Sequence, residues 1–206
     1  MTETKANHIS LYSLTIEEET PLGKIFENGE IDYDFDKADS MWLSGRDFLK
    51  SKGFVQYEVS NFCKHDKKSI HNLSYWNHES YIGCGSGATG TKYKSDASAY
   101  RWTNTRDIKK YIDFWNNEKI DREKIPEECE KIERDTSKFE FFMMGLRTLD
   151  GIKKSRFEKI FGETFSSDTE MLFQKWKREG KAVINGDIYA LNEKGILYLN
   201  DFLSSI

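Results

Sequence analysis

The chain contains no CxxC and no CxxxCxxC, and its three cysteines, Cys63, Cys84 and Cys129, lie far apart. Local spacing for a cysteine-ligated iron–sulfur cluster or zinc site is therefore absent. So is the dense, even set of a disulfide framework; a sparse, odd set fits a reducing compartment, and the expected location is cytoplasmic. No apolar run reaches the length that spans a bilayer, and mean hydropathy is −0.72. MTETKANHIS has no basic segment followed by an apolar stretch, so no secretory leader is expected. Charge of one sign is missing too. Lys+Arg number 31 against Asp+Glu 35, well mixed, which leaves no basic stripe for nucleic acid. There is no HExxH or HxxxH pair, no internal repeat and no low-complexity tract.

What is present is 206 residues with 14% aromatics, enough to bury a core in one substantial domain or one and a half small ones. HISLYSLT, His8–Thr15, reads as a strand. Asp36–Lys52 reads as a helix, with Ala38, Met41, Trp42, Gly45 and Leu49 in one stripe and Gly53 at a left-handed cap. Phe54–Ser60 reads as a second strand, SNFCKHDKKSI as a polar loop, and Tyr81–Gly85 as a third strand ending in glycine. Strand, helix, strand, loop, strand is the grammar of a parallel sheet with crossover connections.

Beyond Tyr93 the pattern changes. SAYRWTN reads as a strand or hairpin arm. RDIKKYIDFWNN is a helix with Ile108, Tyr111, Ile112 and Trp115 on one face. KIPEECEK is a linker and helix start, leading into a helix from about Glu127 to Leu146. Its stripe is Ile132, Phe139, Phe142, Met143 and Leu146. SRFEKIFG is a short helix closed by Gly162. Asp168–Glu179 is another, with Met171, Leu172 and Trp176 inward and Gly180 as its stop. AVINGDIYAL is a hairpin about Asn185-Gly186, and Asn192 caps a last helix. Helix, helix, hairpin, helix is a winged-helix order. Lys175, Lys177 and Arg178 are offset by Asp168, Glu170 and Glu179, a poor footprint for phosphate, so a packing or partner-binding role is expected there.

Chemistry concentrates in HNLSYWNHESYIGCGSGATG, His71–Gly90. A neutral imidazole at His71 can ligate haem iron, and on a helical turn Tyr75 at i+4 shares its face while Trp76 can stack on a flat ring. The same residues also read as a hydrogen-bonded histidine beside two core aromatics. Gly83, Gly85 and Gly87 let backbone approach a ligand closely, or form a bend at a sheet edge. Cys84 has no His-and-carboxylate pair set about it by sequence, and no catalytic residue is assigned.

The order HISLYSLTIEEETPLGK, YEVSNFCK, HNLSYW, YIGCGSGA, YRWTNTRDIKKYI and FEFFMMGLRTLDGI resembles the C-terminal half of HemW-type proteins. These are relatives of oxygen-independent coproporphyrinogen III oxidase in the radical S-adenosylmethionine superfamily. The likeness runs from about His8 to the end. It implies an α/β fold: residues 1–92 as the last strands of a partial (β/α)6 barrel, 93–130 as a connecting strand and helix, and 131–206 as a winged-helix-like α+β accessory domain. HNLSYW is similar to the family's haem-associated HNxxYW, which implies haem at His71, Asn72, Tyr75 and Trp76, with His71 on the iron. Gly83, Gly85, Gly87 and Ala88 are similar to the loop that contacts S-adenosylmethionine, although Thr89 stands where the family commonly has histidine.

The [4Fe–4S] ligands of the family lie in an N-terminal half outside this sequence, so the resemblance implies no radical chemistry by the chain alone; S-adenosylmethionine and the cluster are expected only with that half. Haem binding and delivery is the function implied. The alternatives are one half of a porphyrinogen oxidase, or a non-catalytic structural remnant. Expected partners are haem or porphyrin, and the N-terminal half or a second copy at an open sheet edge by HISLYSLT.

Overall fold

A computed structural model describes residues 5–116 and 128–206. The chain forms two units, which divide between Lys68 and Ser69. In the first, β1 (His8–Ser10), α1 (Pro21–Glu27), α2 (Phe35–Ser51), β2 (Val55–Gln56) and β3 (Asn61–Cys63) follow in order. Asp34 starts α2 by accepting from Lys37 N–H at 2.8 Å, and Gly53, at φ +78°, lets the chain turn away after it. Leu49 packs with Phe54 and Phe62 in a small core, flanked by Ile9, Leu11 and Trp42. Gly45 lets Leu11 close in, since a Cβ there would lie 3.1 Å from Leu11 Cδ2. Met41, expected inward, is 66% exposed; it lies at the margin of the stripe that Trp42 and Leu49 define.

The parallel pairing expected of this region is not what forms. The sheet order is β1-β3-β2, and both pairings are antiparallel. The expected strand Phe54–Ser60 ends early because Tyr57 N–H bonds Asn61 carbonyl, turning the chain back on itself. Asn61–Cys63, read as loop from its polar neighbours, is the central strand, and Phe62 within it is fully buried. Tyr81–Gly85 does not form the expected third strand; only Tyr81 pairs, in a single bridge to Thr91.

The second unit holds α3 (Ile70–Trp76), β4 (Thr89–Tyr93), β5 (Ala99–Thr103), α4 (Ile108–Trp115), β6 (Glu128–Ile132), α5 (Arg134–Gly145), β7 (Ile152–Lys153), α6 (Lys154–Phe161), α7 (Ser167–Arg178), β8 (Ala182–Asn185), β9 (Ile188–Leu191) and α8 (Leu199–Leu203). Its sheets run β4-β5-β6 and β7-β9-β8, again antiparallel. The helix expected from Glu127 starts only at Arg134; Glu128–Ile132 instead pairs with β5, opposite Ala99–Thr103. The linker preceding it falls largely outside the described residues. Within α5, Phe141 and Phe142 are buried while Phe139, expected inward, is 41% exposed.

The core is a run of aromatic contacts, in which Phe157 stands 5.4 Å from both Phe141 and Phe142 and 5.0 Å from Phe165, and Phe173 stands 4.7 Å from Phe202. Gly162 closes α6 at φ +65° and Gly180 ends α7 at φ +69°, as their positions predict. Trp176 is buried as expected, but Met171 is 61% exposed, because the inward stripe of α7 runs through Thr169, Phe173 and Trp176. In the hairpin Asn185 pairs with Ile188, so Gly186 and Asp187 make the turn, one residue on from the expected Asn-Gly. Asn192 Oδ1 accepts from Lys194 and Gly195 N–H, opening a 3-10 turn that leads into α8.

Candidate functional site

Ser69 caps α3, its Oγ accepting from Asn72 N–H at 3.3 Å. The helix therefore begins one residue before His71, and the i+4 spacing is realised: Tyr75 OH lies 2.8 Å from His71 Nε2. The two rings meet edge-on at 4.8 Å, and Tyr75 meets Tyr81 edge-on at 4.4 Å. His71 is exposed and Tyr75 half-buried. Burial raises the Tyr75 hydroxyl pKa above its ordinary value, with Tyr81 adding to it. Tyr75 therefore stays a neutral hydroxyl able to donate to an imidazole nitrogen. Nearby in sequence, Ile70 and Ile82 expose 85% and 77% of their surface.

Trp76 is placed differently. It follows Tyr75 on the helix and lies under the Arg147 guanidinium, 5.6 Å from the ring centre. The structure thus brings His71, Tyr75 and Tyr81 together and sets Trp76 on another face, toward α5. The Asn72 side chain makes no hydrogen bond to His71. Tyr81 buttresses Tyr75, a contact that spacing along the chain does not show.

His78 has the opposite character to His71. It is 6% exposed, held at φ +52°, stacked on Tyr93 at 3.9 Å and bonded through Nε2 to Ser137 Oγ at 3.3 Å. Burial, and then the Arg156 charge, lower its pKa to about 4. It is a neutral core imidazole.

The glycine loop is folded on its own chain. Asn104 Nδ2 donates to the carbonyls of Gly83 and Gly85 at 3.1 and 2.9 Å. Gly85 N–H donates to Tyr111 OH at 3.0 Å, and Gly87 N–H to Thr105 carbonyl at 2.9 Å. Ala88 carbonyl accepts from Asn104 N–H at 2.9 Å. The close approach that glycine permits is used by the protein itself at Gly83, where a Cβ would sit 2.5 Å from Thr89 backbone, and at Gly90, where it would enter the Trp102 ring. Gly85, at φ +112°, faces open space. Asn104 and Tyr111 lie too far along the chain for spacing to have flagged them. Among the described residues, no group of three or more His, Cys, Asp or Glu could hold a metal ion. No described helix is long and apolar enough to cross a membrane.

This mixed α/β chain carries, in its C-terminal third, the architecture of a known domain: residues 132–198 match the HemN C-terminal domain family. It is 31% identical over 205 residues to the haem chaperone HemW of Haemophilus influenzae, covering 98% of this chain and 49% of that one. It is 31% identical over 161 residues to haem chaperone HemW of Bacillus subtilis, covering 77% and 40%. Its fold is similar to coproporphyrinogen III oxidase (HemN) from Escherichia coli, a radical S-adenosylmethionine enzyme. That TM-score is 0.66 at 12% identity, over 99% of this chain and 48% of the other. The chain belongs to the HemW/HemN-like radical S-adenosylmethionine family and corresponds to its C-terminal half. It spans about half the length of the relatives that it matches most fully.

Proposed function

We propose that this chain is the haem-associated half of a HemW-type haem chaperone, holding haem through α3. The observation that carries the reading is the His71–Tyr75 pair on an exposed helix face. Haem, if bound, would supply an iron for an imidazole to meet and a flat apolar ring for aromatic side chains to pack on. His71 supplies the base. Tyr75 orients the imidazole, and Tyr81 holds Tyr75 in place. Ligation through Nε2 requires the Tyr75 hydroxyl to give up its hydrogen bond, a modest cost for a solvent-exposed contact. Asn72 and Trp76 complete the proposed set, Trp76 from the neighbouring helix face. The test is ferric haem titrated into the isolated chain: a saturable Soret band at one haem per chain is expected, and its absence would defeat the reading.

The chaperone reading stands ahead of a porphyrinogen oxidase half because the 31% relatives are named haem chaperones, whereas the oxidase likeness is one of fold. Radical chemistry is assigned to the family's other half. Anaerobic iron–sulfide reconstitution of this chain is expected to give no stoichiometric [4Fe–4S] absorbance and no 5′-deoxyadenosine; clean production of that nucleoside would contradict the assignment. The loop Gly83–Ala88 is proposed to meet S-adenosylmethionine only in the complete fold, over the open side of Gly85.

We further read residues 1–92 as the end of a partial (β/α)6 barrel, 93–130 as a connection, and 131–206 as a winged-helix-type accessory domain. Support for the last is the order α6, α7, β8, β9. Support for an incomplete first unit is β1, which lies at a sheet edge, followed by Tyr12 and Leu14 at 68% and 56% exposure. Such an edge invites another strand. Concentration-dependent association by light scattering is expected, and a strict monomer at high concentration would count against it.

A further inference from the structure

The second unit contains a cavity of about 820 Å³ that the His71 face does not explain. Its size is that of small-molecule sites. Phe141, Ile152, Ala190 and Leu191, all nearly fully buried, give it an apolar floor. Trp76 forms part of its wall, so the cavity and the His71 face lie on either side of one seven-residue helix. Lys153 and Arg156 supply cations at its edge. Arg156 uses Nη2 to reach the Asn77 carbonyl and, at 3.9 Å, Glu79; the rest of its guanidinium fork can still donate. The acidic lining residues Asp150 and Glu193 each have an interaction partner of their own.

We propose that this cavity binds a planar aromatic ring system bearing carboxylates, here the edge of a tetrapyrrole, with its ring on the apolar floor and its acid groups held by Lys153 and Arg156. The identity of the ring as a tetrapyrrole rests on the haem-binding reading above. An apolar floor with two cations at the edge suits such a ligand better than an extended peptide, which would need the strand edge of β8 rather than the floor. The two sites are distinct: His71 offers a base to a metal on one side of the helix, and Trp76 belongs to a pocket that needs no metal.

The probe that separates the two is metal-free protoporphyrin, a dicarboxylate without iron, followed by absorbance and fluorescence. The wild-type chain is expected to bind it. Val183→Trp fills the cavity from a residue 46% exposed on its wall, so folding is spared, and should weaken binding by about tenfold or more. Lys153→Glu, at an exposed position, should weaken the diacid several-fold and its dimethyl ester little. His71→Ala should leave metal-free binding unchanged. Equal affinity of wild type and Val183→Trp, equal affinity for diacid and ester, or binding of strand peptides without porphyrin would each overturn the proposal. If ferric haem binds through His71 and the metal-free ring does not bind, the pocket proposal fails while the haem reading stands. If the cavity variants lose porphyrin while His71→Ala leaves the haem spectrum intact, the pocket stands and the His71 assignment fails.

Discussion

Glu140→Ala is expected to lower the stability of the protein by about 3 kcal/mol, the low end for breaking a buried ion pair. Arg101 Nη2 donates to both carboxylate oxygens of Glu140, at 2.9 and 2.8 Å. The Glu140 side chain is 8% exposed and that of Arg101 is 25% exposed. Burial pulls the Arg101 pKa down, yet the hydrogen bond and charge of Glu140 outweigh it, and the net shift is upward. The pair fastens β5 to α5, while Arg101 Nε also reaches Thr91 Oγ1 at 3.3 Å. Removing the carboxylate leaves a part-buried guanidinium whose remaining ion-pair partner among the described residues is Glu130, 3.7 Å away and largely exposed. The double variant Arg101→Leu/Glu140→Leu should recover much of the loss, since an apolar pair of similar volume is often as stable as a buried ion pair. Urea denaturation measures both. A single-variant cost below about 0.5 kcal/mol, typical of an exposed pair, would contradict this picture.

The second large effect is a dependence on pH. His78 has a pKa of about 4 in the folded protein against an ordinary 6.5. The unfolded chain therefore takes up a proton as pH falls through 6.5, and the folded one does not until about 4. Stability is unaffected by this group above pH 6.5 and declines between 6.5 and 4, by roughly 3 kcal/mol in all at 1.36 kcal/mol per pH unit. His78→Asn retains a residue that tolerates the left-handed backbone at φ +52° and removes the titration. It should be less stable at neutral pH, because it loses the stack on Tyr93, but flatter between pH 6.5 and 4. An unchanged slope in His78→Asn would assign the acid sensitivity to other groups.

Neither residue was conspicuous in the sequence. His78 was one scattered histidine among four, and its burial comes from Tyr93, Phe141 and Phe161, which reach it from distant segments. Arg101 and Glu140 are joined only once β5 and α5 are placed. What could be read directly was local chemistry: the Gly162 and Gly180 stops, the hairpin near Gly186, the Asn192 cap and the His71–Tyr75 spacing each depend on a few neighbouring residues. The parallel sheet was misjudged because alternation shows that a segment is extended without showing its partner. Asn61–Cys63 was missed because its charged flanks hid a three-residue buried strand. Tyr75 shares the face of His71, as its i+4 spacing predicts, whereas Trp76, about 100° farther round the helix, meets Arg147 instead.

The account turns on His71 as the residue that meets haem iron, and the direct measurement is a Soret titration of His71→Ala beside the wild-type chain. Loss of the imidazole should shift the Soret band and weaken affinity, while residual association by stacking persists. Tyr75→Phe, which removes the hydroxyl that must leave Nε2 before iron can bind there, should keep the wild-type Soret position and should not weaken affinity. His78→Asn and Cys84→Ala should leave the Soret position where the wild type has it. If His71→Ala keeps both the Soret position and the affinity of the wild type while His78→Asn or Cys84→Ala alters them, His71 is not the ligand, and haem, if bound, is held elsewhere on the chain.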